Sequence, residues 1–433
     1  MSRQAAPDSY SPAGIGHPQS PGMPQNARSL TTLAAAVILN YQSFAAMRIY
    51  LDYNATTPVD REVLDAMLPY FSGTFGNASS IHSAGQRGRS AVDAARESVA
   101  ALLGARPAEI VFTCGGTEAD NLALFGIVTA CAEPRKHMIT TTIEHHAVLN
   151  SAQALEKQGV NVTYVPVGAN GVVDPEEIRE AIRPETVLIS VMLANNEIGT
   201  IQPIEEIGRI AAEENIYFHC DAVQAAGKLA LDVNRLGVDL LSISAHKIYG
   251  PKGVGALYVR AGTELEPIFH GGHHERDRRP GTENVPGIAG LGKAAELAVR
   301  NLESDAARVA ALRDKFESGL LSLPGVRVNG DPHQRVANTC NLSFDAAGGE
   351  ALVIALDLQG IACSTGAACS SGAVEPSHVL TAIGLSPDQA RSSLRFSLGR
   401  PTTAEEIDQA IRIVPAVVER LRALSPLSVH AAT

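Results

Sequence analysis

The sequence contains the stretch Ser242-Ile243-Ser244-Ala245-His246-Lys247-Ile248-Tyr249-Gly250-Pro251-Lys252-Gly253, around which the rest of the chain can be arranged. Apolar and small polar residues alternate at its start, which predicts a buried strand, and Gly-Pro-Lys-Gly predicts the turn that ends it. Ser244, His246 and Lys247 would then lie together at a strand end. There Lys247 could form a Schiff base with a carbonyl cofactor, while Ser244 and His246 hold an anionic group of the same molecule. The ordinary alternative is a surface lysine.

Outward from this stretch, short apolar segments alternate with helical patterns, which predicts an α/β fold with a mostly parallel sheet covered on both faces. Ligands of such sheets bind at the carboxyl ends of the strands. The predicted strands are 110–113, 137–142, 162–167, 187–193, 217–220, 240–244 and 255–259. The residues at or just after their ends include Gly116, Thr117, His145, Asn196, Asp221, Gln224 and Ser244 to Lys247.

A Gly-Gly turn follows the first of these strands. Gly115 and Gly116 precede a predicted helix from Thr117, and Thr117 with Asp120 fits a variant of the capping box. Backbone N–H groups at such a helix start suit a phosphate, although an ordinary strand–helix loop would look the same.

Three polar residues match the needs of a pyridoxal phosphate ring. Asp221 would keep the ring nitrogen protonated, His145 would stack on the ring, and Gln224, one helical turn after Asp221, would donate to the ring hydroxyl. A capping Asp and a core His are the ordinary alternatives. Their combination at the ends of one sheet favours the cofactor.

Composition limits the other functions. The formal net charge of −11 and the pI near 5.6 argue against nonspecific nucleic-acid binding. No apolar run approaches the roughly 18 to 20 residues of a membrane span, so we expect a soluble protein without a membrane contact. Six cysteines without CxxC or zinc-type spacing indicate reduced thiols, a cytoplasmic location and no resident metal.

The two ends of the chain differ from the rest. Residues 1–46 are predicted to be a disordered or dispensable extension, with Met47 as an alternative start, although a signal peptide is conceivable. Residues 426–433 are predicted to be a tail. Between them we predict a large cofactor-binding domain over 60–300 and a smaller α+β domain formed by 47–59 with 301–425.

Eight motifs, in order, resemble the cysteine desulfurase family of pyridoxal-phosphate enzymes, in its NifS/IscS-like, mobile-loop subgroup within the class V aminotransferases. The match covers about residues 48 to 425. The motifs lie at 50–58 (YLDYNATTP), 115–118 (GGTE), 142–145 (TIEH), 195–199 (NNEIG), 221–224 (DAVQ), 244–253 (SAHKIYGPKG), 279–285 (RPGTENV) and 395–400 (RFSLGR).

The resemblance implies an aspartate-aminotransferase-like fold (PLP fold type I), a homodimer and the conversion of L-cysteine to L-alanine. It makes Lys247 the Schiff-base lysine, Asp221 the ring-nitrogen partner, His145 the stacking and acid/base residue and Gln224 the donor to the ring hydroxyl. It also implies a phosphate site, a substrate-carboxylate site and a persulfide-forming nucleophile. The phosphate site would consist of Gly116, Thr117, Ser244 and His246, with Thr282 of the other subunit. Asn196 and Arg395 would bind the substrate carboxylate. Cys369 would be the nucleophile.

The loop around Cys369 is rich in small residues and is expected to be mobile, whereas Cys363 is expected to be a buried thiol. Cys369 could transiently ligate an iron-sulfur cluster. The sulfur acceptor is open between an iron-sulfur scaffold and a thiolation protein. One alternative is a selenocysteine lyase or another β-lyase. Another is a catalytically dead assembly scaffold, which the presence of Lys247, Asp221 and Cys369 disfavours.

Overall fold

The computed structural model describes residues 48–365 and 376–424, and the part from Ile49 onward forms one compact unit. The predictions for residues 1–46, the Cys369 loop and residues 426–433 lie outside the described residues. The division into a large and a small domain stays a prediction. Its boundary between residues 300 and 301 falls inside a continuous helix, Val285–Leu321.

The main sheet has seven strands, in the order β2-β8-β7-β6-β5-β3-β4. Only β8 runs against the others, pairing antiparallel with β2 and β7, so the predicted α/β fold with a mostly parallel sheet is confirmed. The remaining strands form the three-stranded antiparallel sheet β12-β10-β9 and the parallel pair β1-β11. The strands are β1 Ile49–Tyr50, β2 Ile110–Thr113, β3 His137–Thr141, β4 Asn161–Val165, β5 Thr186–Ser190, β6 Tyr217–Asp221, β7 Leu240–Ser244, β8 Gly255–Val259, β9 Val326–Val328, β10 Thr339–Phe344, β11 Ile361–Ala362 and β12 Ser393–Ser397.

Helices cover both faces of the main sheet. Neighbouring residues of one strand enter different apolar cores, as Ile110 and Val111 do, because successive side chains of a strand point to opposite faces. The helices are α1 Arg61–Met67, α2 Ser83–Leu103, α3 Gly116–Ala130, α4 His146–Glu156, α5 Pro175–Glu180, α6 Ile204–Glu213, α7 Val233–Leu236, α8 Val285–Leu321, α9 Gly349–Leu358, α10 His378–Ala382, α11 Pro387–Arg391 and α12 Ala404–Leu424. None of the described helices combines the length and apolar character needed to cross a bilayer.

A separate apolar core lies around the three-stranded sheet. It includes Phe316 and Leu320 from the second half of α8, while the first half of α8 packs on α2 in a core of the main sheet. The Asn284 side chain caps α8 by accepting a hydrogen bond from the Gly287 N–H at 3.1 Å. One long helix therefore contributes to two cores.

The carboxyl ends of the parallel strands meet at one edge of the sheet. Strand β7 leads into a short 3₁₀ turn, Ala245–Lys247, β6 ends at Asp221, and β2 leads through a glycine turn into α3. This edge carries the predicted site residues.

The predicted cap of α3 is wrong. The helix begins one residue earlier, at Gly116, with Gly115 as its N-cap. Thr117 is therefore in the first turn, and Asp120 is buried beside the sheet instead of bonding to a cap residue.

Candidate functional site

A cavity of about 460 Å³ opens at this edge, which is within the roughly 300–1,000 Å³ typical of ligand pockets. Its walls include all the predicted site residues except Thr282 and Cys369. Those lining it are Gly116, Thr117, His145, Asn196, Asp221, Gln224, Ser244, His246, Lys247 and Arg395. Thr282 is exposed in the loop before α8, and Cys369 lies outside the described residues.

One end of the cavity is built for an anion. Gly115 has no side chain to cap α3, so N–H groups of the first helical turn are left for a ligand. Ser244 lies against this turn, and a Cβ added at Gly116 would come within 2.8 Å of Val223, so the close packing requires glycine. His246 Nδ1 lies 3.2 Å from Thr56 Oγ1. Burial and nearby Lys247 lower the pKa of His246 to about 4, so the ring is neutral and polar at pH 7.

Lys247 is held at the middle of the site. Its Nζ donates to the carbonyl oxygens of Asn54 at 2.5 Å and Ala55 at 2.9 Å. Burial, and then the positive charge of Arg395, lower the pKa of Lys247 to about 8, against the opposing charges of Asp221 and Asp52. About a tenth of this amine is therefore unprotonated at pH 7, far more than of an exposed lysine.

Asp221 is a buried carboxylate at the end of β6, with 5% of its surface exposed. Its Oδ1 accepts a hydrogen bond from the Val223 N–H at 2.9 Å. Burial raises the pKa of Asp221, whereas this hydrogen bond and Lys247 lower it. Asp120, also in the cavity wall, has its pKa raised by burial and then by the charge of Asp221, and its Oδ1 has no hydrogen-bond partner among the described residues. Negative charge therefore resides on Asp221 rather than on Asp120.

His145 lies at the mouth of the cavity, where it is the N-cap of α4. Its Nδ1 accepts a hydrogen bond from the Ala147 N–H at 3.1 Å, so the proton of the neutral ring is on Nε2. His145 is exposed to solvent on one side, but the atoms packed around its ring, and then Lys247, lower the pKa of His145 to about 4. The ring is neutral at pH 7.

Arg395, from β12, also lines the cavity. Its Nη2 donates to Asp52 Oδ1 at 2.8 Å and its Nη1 to the Asn196 carbonyl at 3.0 Å. Its Nε is buried without a hydrogen-bond partner among the described residues. A buried donor without a partner is costly, and a ligand carboxylate would satisfy it.

Asn54 is a site residue that the sequence reasoning missed, although it lies in one of the motifs. Its carbonyl accepts from Lys247 and Gln224, and its side chain contacts Asn196, Lys228 and Asn338. Asp52 was missed as the partner of Arg395, and Asp120 was assigned to a cap. A signal was available for the first two, because both belong to the segment 50–58.

The thiols and histidines of the described part of the chain form no second reactive centre. Cys363 is 8% exposed, and burial raises its pKa to about 12, as expected for an inert thiol. No cluster of three or more His, Cys, Asp or Glu residues that could hold a metal ion occurs within residues 48–365 and 376–424.

The chain is similar over most of its length to known proteins. Residues 49–410 match the model of the class-V aminotransferases. A cysteine desulfurase IscS from Methanosarcina thermophila is 53% identical over 380 residues, which cover 88% of this chain and 94% of the relative.

Two solved structures share the fold. A NifS-like protein superposes with a TM-score of 0.82 at 40% identity, covering 87% of this chain and 100% of that one. The protein SspA in complex with cysteine superposes with a TM-score of 0.73 at 42% identity, covering 81% of this chain and 98% of that one.

Proposed function

Because the chain belongs to the cysteine desulfurases of the class-V aminotransferase family, we propose that its cavity removes sulfur from L-cysteine, releases L-alanine and loads the sulfur on Cys369. One observation carries the assignment of the site. Lys247, Asp221 and the uncapped start of α3 face a single cavity that Arg395 also lines.

The residues of the cavity fit pyridoxal 5'-phosphate, the cofactor of this family. The N–H groups of the α3 start with Thr117, Ser244 and His246 would hold the phosphate. Asp221 would pair with the ring nitrogen, Gln224 would donate to the ring hydroxyl, and His145 would stack on the ring. When bound, this cofactor supplies an electron sink for the carbon skeleton of an amino acid.

Arg395 and Asn196 would orient the substrate. The Arg395 guanidinium is held by Asp52 and the Asn196 carbonyl, so its remaining Nε–H is directed before the substrate arrives. A carboxylate bound there would be fixed by a charge-assisted hydrogen bond. This positions the Cα–H bond of L-cysteine in the cavity that Lys247 lines.

Lys247 would move the proton. With a pKa near 8, its Nζ can accept the Cα proton of the substrate when neutral and return a proton afterwards. His145, neutral with the proton on Nε2, would donate a hydrogen bond from Nε2 in the cavity, while Lys247 carries the proton.

Cys369 would take the sulfur. Its thiolate attacks the substrate sulfur, an S–S bond forms, the C–S bond breaks, and the electron pair stays with the carbon skeleton that leaves as alanine after protonation. Cys363 is too buried for this role.

The partners follow from the same assignment. We place the protein in the cytoplasm, since the five cysteines of the described residues are free thiols. A homodimer is supported by exposed apolar side chains, Phe71, Phe75 and Ile81, and would let the exposed Thr282 reach the phosphate site of the other subunit. The acceptor of the persulfide would be an iron-sulfur scaffold or a thiolation protein, and Cys369 could transiently ligate a cluster.

The test compares two thiols. Cys369→Ser should bind the cofactor normally but lose alanine release at least about a hundredfold, roughly 2.7 kcal/mol of transition-state stabilisation. Cys363→Ser is the matched control and should change little. Extra sulfur found by mass spectrometry on Cys363 after a cysteine pulse, with Cys369→Ser still active, would refute the assignment.

A further inference from the structure

A second lysine lies behind the site and has no place in the mechanism above. Lys228 Nζ contacts two side-chain oxygens, Gln224 Oε1 at 2.7 Å and Asn54 Oδ1 at 3.2 Å. Both acceptors belong to residues that line the cofactor cavity, whereas Lys228 lines a smaller cavity on the other side of Lys247. Lys228 therefore does not line the cofactor cavity itself but hydrogen-bonds to two residues that do.

These contacts determine how the Gln224 amide is turned. An amine engaged with two oxygens must donate to both, so the amide oxygen of Gln224 has to face Lys228. The Gln224 Nε2 then donates to the Asn54 carbonyl at 3.0 Å, an atom that can only accept. The two contacts demand the same orientation, and the second N–H of Gln224 Nε2 is left for a ligand in the cavity that this residue lines.

The same argument applies to Asn54. Its Oδ1 accepts from Lys228 and from Asn338 Nδ2 at 2.9 Å, while its Nδ2 donates to the Asn196 carbonyl at 3.0 Å and to Thr339 Oγ1 at 2.8 Å. Asn54 is 1% exposed, so its amide cannot turn towards water instead. Lys228 thus completes a network in which each amide has one satisfied orientation.

This orientation does not depend on the charge of Lys228. Burial, followed by the positive charges of Lys247 and Arg395, lowers the pKa of Lys228 to about 7. A neutral amine still has two N–H donors for the two oxygens, and the Asn54 carbonyl, which can only accept, excludes the flipped amide that the amine lone pair could otherwise bind. The charged groups acting on neighbouring Lys247 are Arg395, Asp221 and Asp52.

We propose that Lys228 is a positioning residue, which turns the Gln224 amide so that its N–H edge faces the ring hydroxyl of the bound cofactor. The inference rests on the proposed function, because it assigns Gln224 to that hydroxyl. A donor aimed at the deprotonated hydroxyl stabilises the anion and lowers the pH at which the resting enzyme changes colour. Without Lys228, the Gln224 amide oxygen loses its donor and only the Asn54 carbonyl still selects the orientation, so the amide turns its oxygen to the cavity more readily.

The experiment is a pH titration of the visible absorbance of resting holoenzyme, without substrate. Lys228→Met, which keeps length and removes the donor, should raise the apparent pKa of the absorbance change by at least about half a unit and weaken cofactor binding roughly three- to tenfold. Gln224→Leu should produce the same upward shift. The double variant should shift no further than Gln224→Leu alone, because Lys228 acts through that amide.

Two further variants separate positioning from packing. Lys228→Arg keeps a group that only donates and should recover more than half of the shift. Lys293→Met is the matched control, because Lys293 is also largely buried and pairs with Glu296 instead of a site residue. This variant should leave the titration unchanged. Additive shifts in the double variant, or an unchanged titration in a folded Lys228→Met enzyme that binds cofactor, would overturn the proposal.

A different result would instead overturn the function itself. If the purified wild-type protein bound no pyridoxal phosphate, both the site assignment and this inference would fail. If it bound the cofactor while Lys228→Met behaved as wild type, only the inference would fail.

Discussion

Asp52 and Arg395 form an ion pair of 2.8 Å across the wall of the candidate site, although 343 residues separate them in the chain. The Arg395 side chain is 6% exposed and that of Asp52 is 21% exposed. The pair holds the guanidinium in place, and its Nε–H is buried without a hydrogen-bond partner among the described residues. Substrate affinity should therefore depend on the fork-shaped geometry of arginine and not only on its charge.

Arg395→Lys tests this geometry. The variant keeps a positive charge but replaces the planar fork of guanidinium N–H groups with a compact ammonium, so KM for L-cysteine should rise about tenfold with near-normal cofactor content. Arg327→Lys is the control, because Arg327 pairs with Asp345 on the surface at 52% and 45% side-chain exposure. An unchanged KM in Arg395→Lys would remove Arg395 from the substrate site.

Lys247→Ala tests the cofactor attachment. Loss of the amine should abolish the visible absorbance of a lysine-linked cofactor and all turnover, because Lys247 Nζ is both the attachment point and the base in the proposal. The spectrum and borohydride reduction followed by peptide mapping measure this. Should the variant retain a borohydride-reducible linkage, another lysine carries the cofactor.

The depressed pKa of Lys247 has a measurable signature in cofactor-free protein. Burial favours the neutral amine, so Lys247 should become reactive towards acylating reagents as the pH rises through about 8. Lys293, whose pKa is raised by its hydrogen bond to Glu296, should react only above its ordinary range. Asp52→Asn removes a charge that raises the pKa of Lys247 and should move its midpoint to lower pH. A midpoint for Lys247 near that of exposed lysines would contradict the prediction.

The buried pair Arg96–Glu275 should matter for stability. Glu275 binds both terminal nitrogens of Arg96 at 2.7 Å and accepts from the Phe112 N–H at 3.0 Å. Glu275→Gln leaves a buried guanidinium without its counter-charge and should lower the free energy of unfolding by about 3–5 kcal/mol in denaturant titrations. Asp345→Asn breaks an exposed pair and should cost less than about 1 kcal/mol. Equal decreases in the free energy of unfolding would show that the buried pair Arg96–Glu275 contributes no more to stability than the exposed pair.

A chain starting at Met47 should keep the melting temperature and activity of the full-length protein. It retains β1, whose Ile49 pairs with Ile361 of β11. A chain starting at Asp52 lacks β1 and is the destabilised comparison. Loss of soluble protein in the Met47 variant would show that residues 1–46 take part in the fold.

Local patterns predicted much of this structure. Strands β2, β7 and β8 have the predicted bounds, because their apolar residues are contiguous or alternate and turn residues follow close by. The reversal of β8 was not predicted, since a short apolar strand has the same pattern in either direction. The cap of α3 was misplaced because a glycine can cap a helix without a side-chain signal.

The site residues at strand ends were predictable because topology brings those ends together. Membership of the motif at 50–58 marked Asn54 and Asp52 but not their partners, because their contacts depend on how the amino-terminal segment lies over the sheet. Asn54 joins residues 142 and 285 positions away along the chain. No local pattern carries information about such pairings.

The 37 residues of α8 make a rod of roughly 55 Å at about 1.5 Å per residue. Its first half packs with α2, and its second half supplies Phe316 and Leu320 to the other core. Unfolding of either core removes the packing of half of α8. The helix then loses stability, and with it the other core loses part of the surface on which it packs. Heat should therefore undo both cores in one endotherm, and the slowest-exchanging amides of α8 should report the global opening of the molecule.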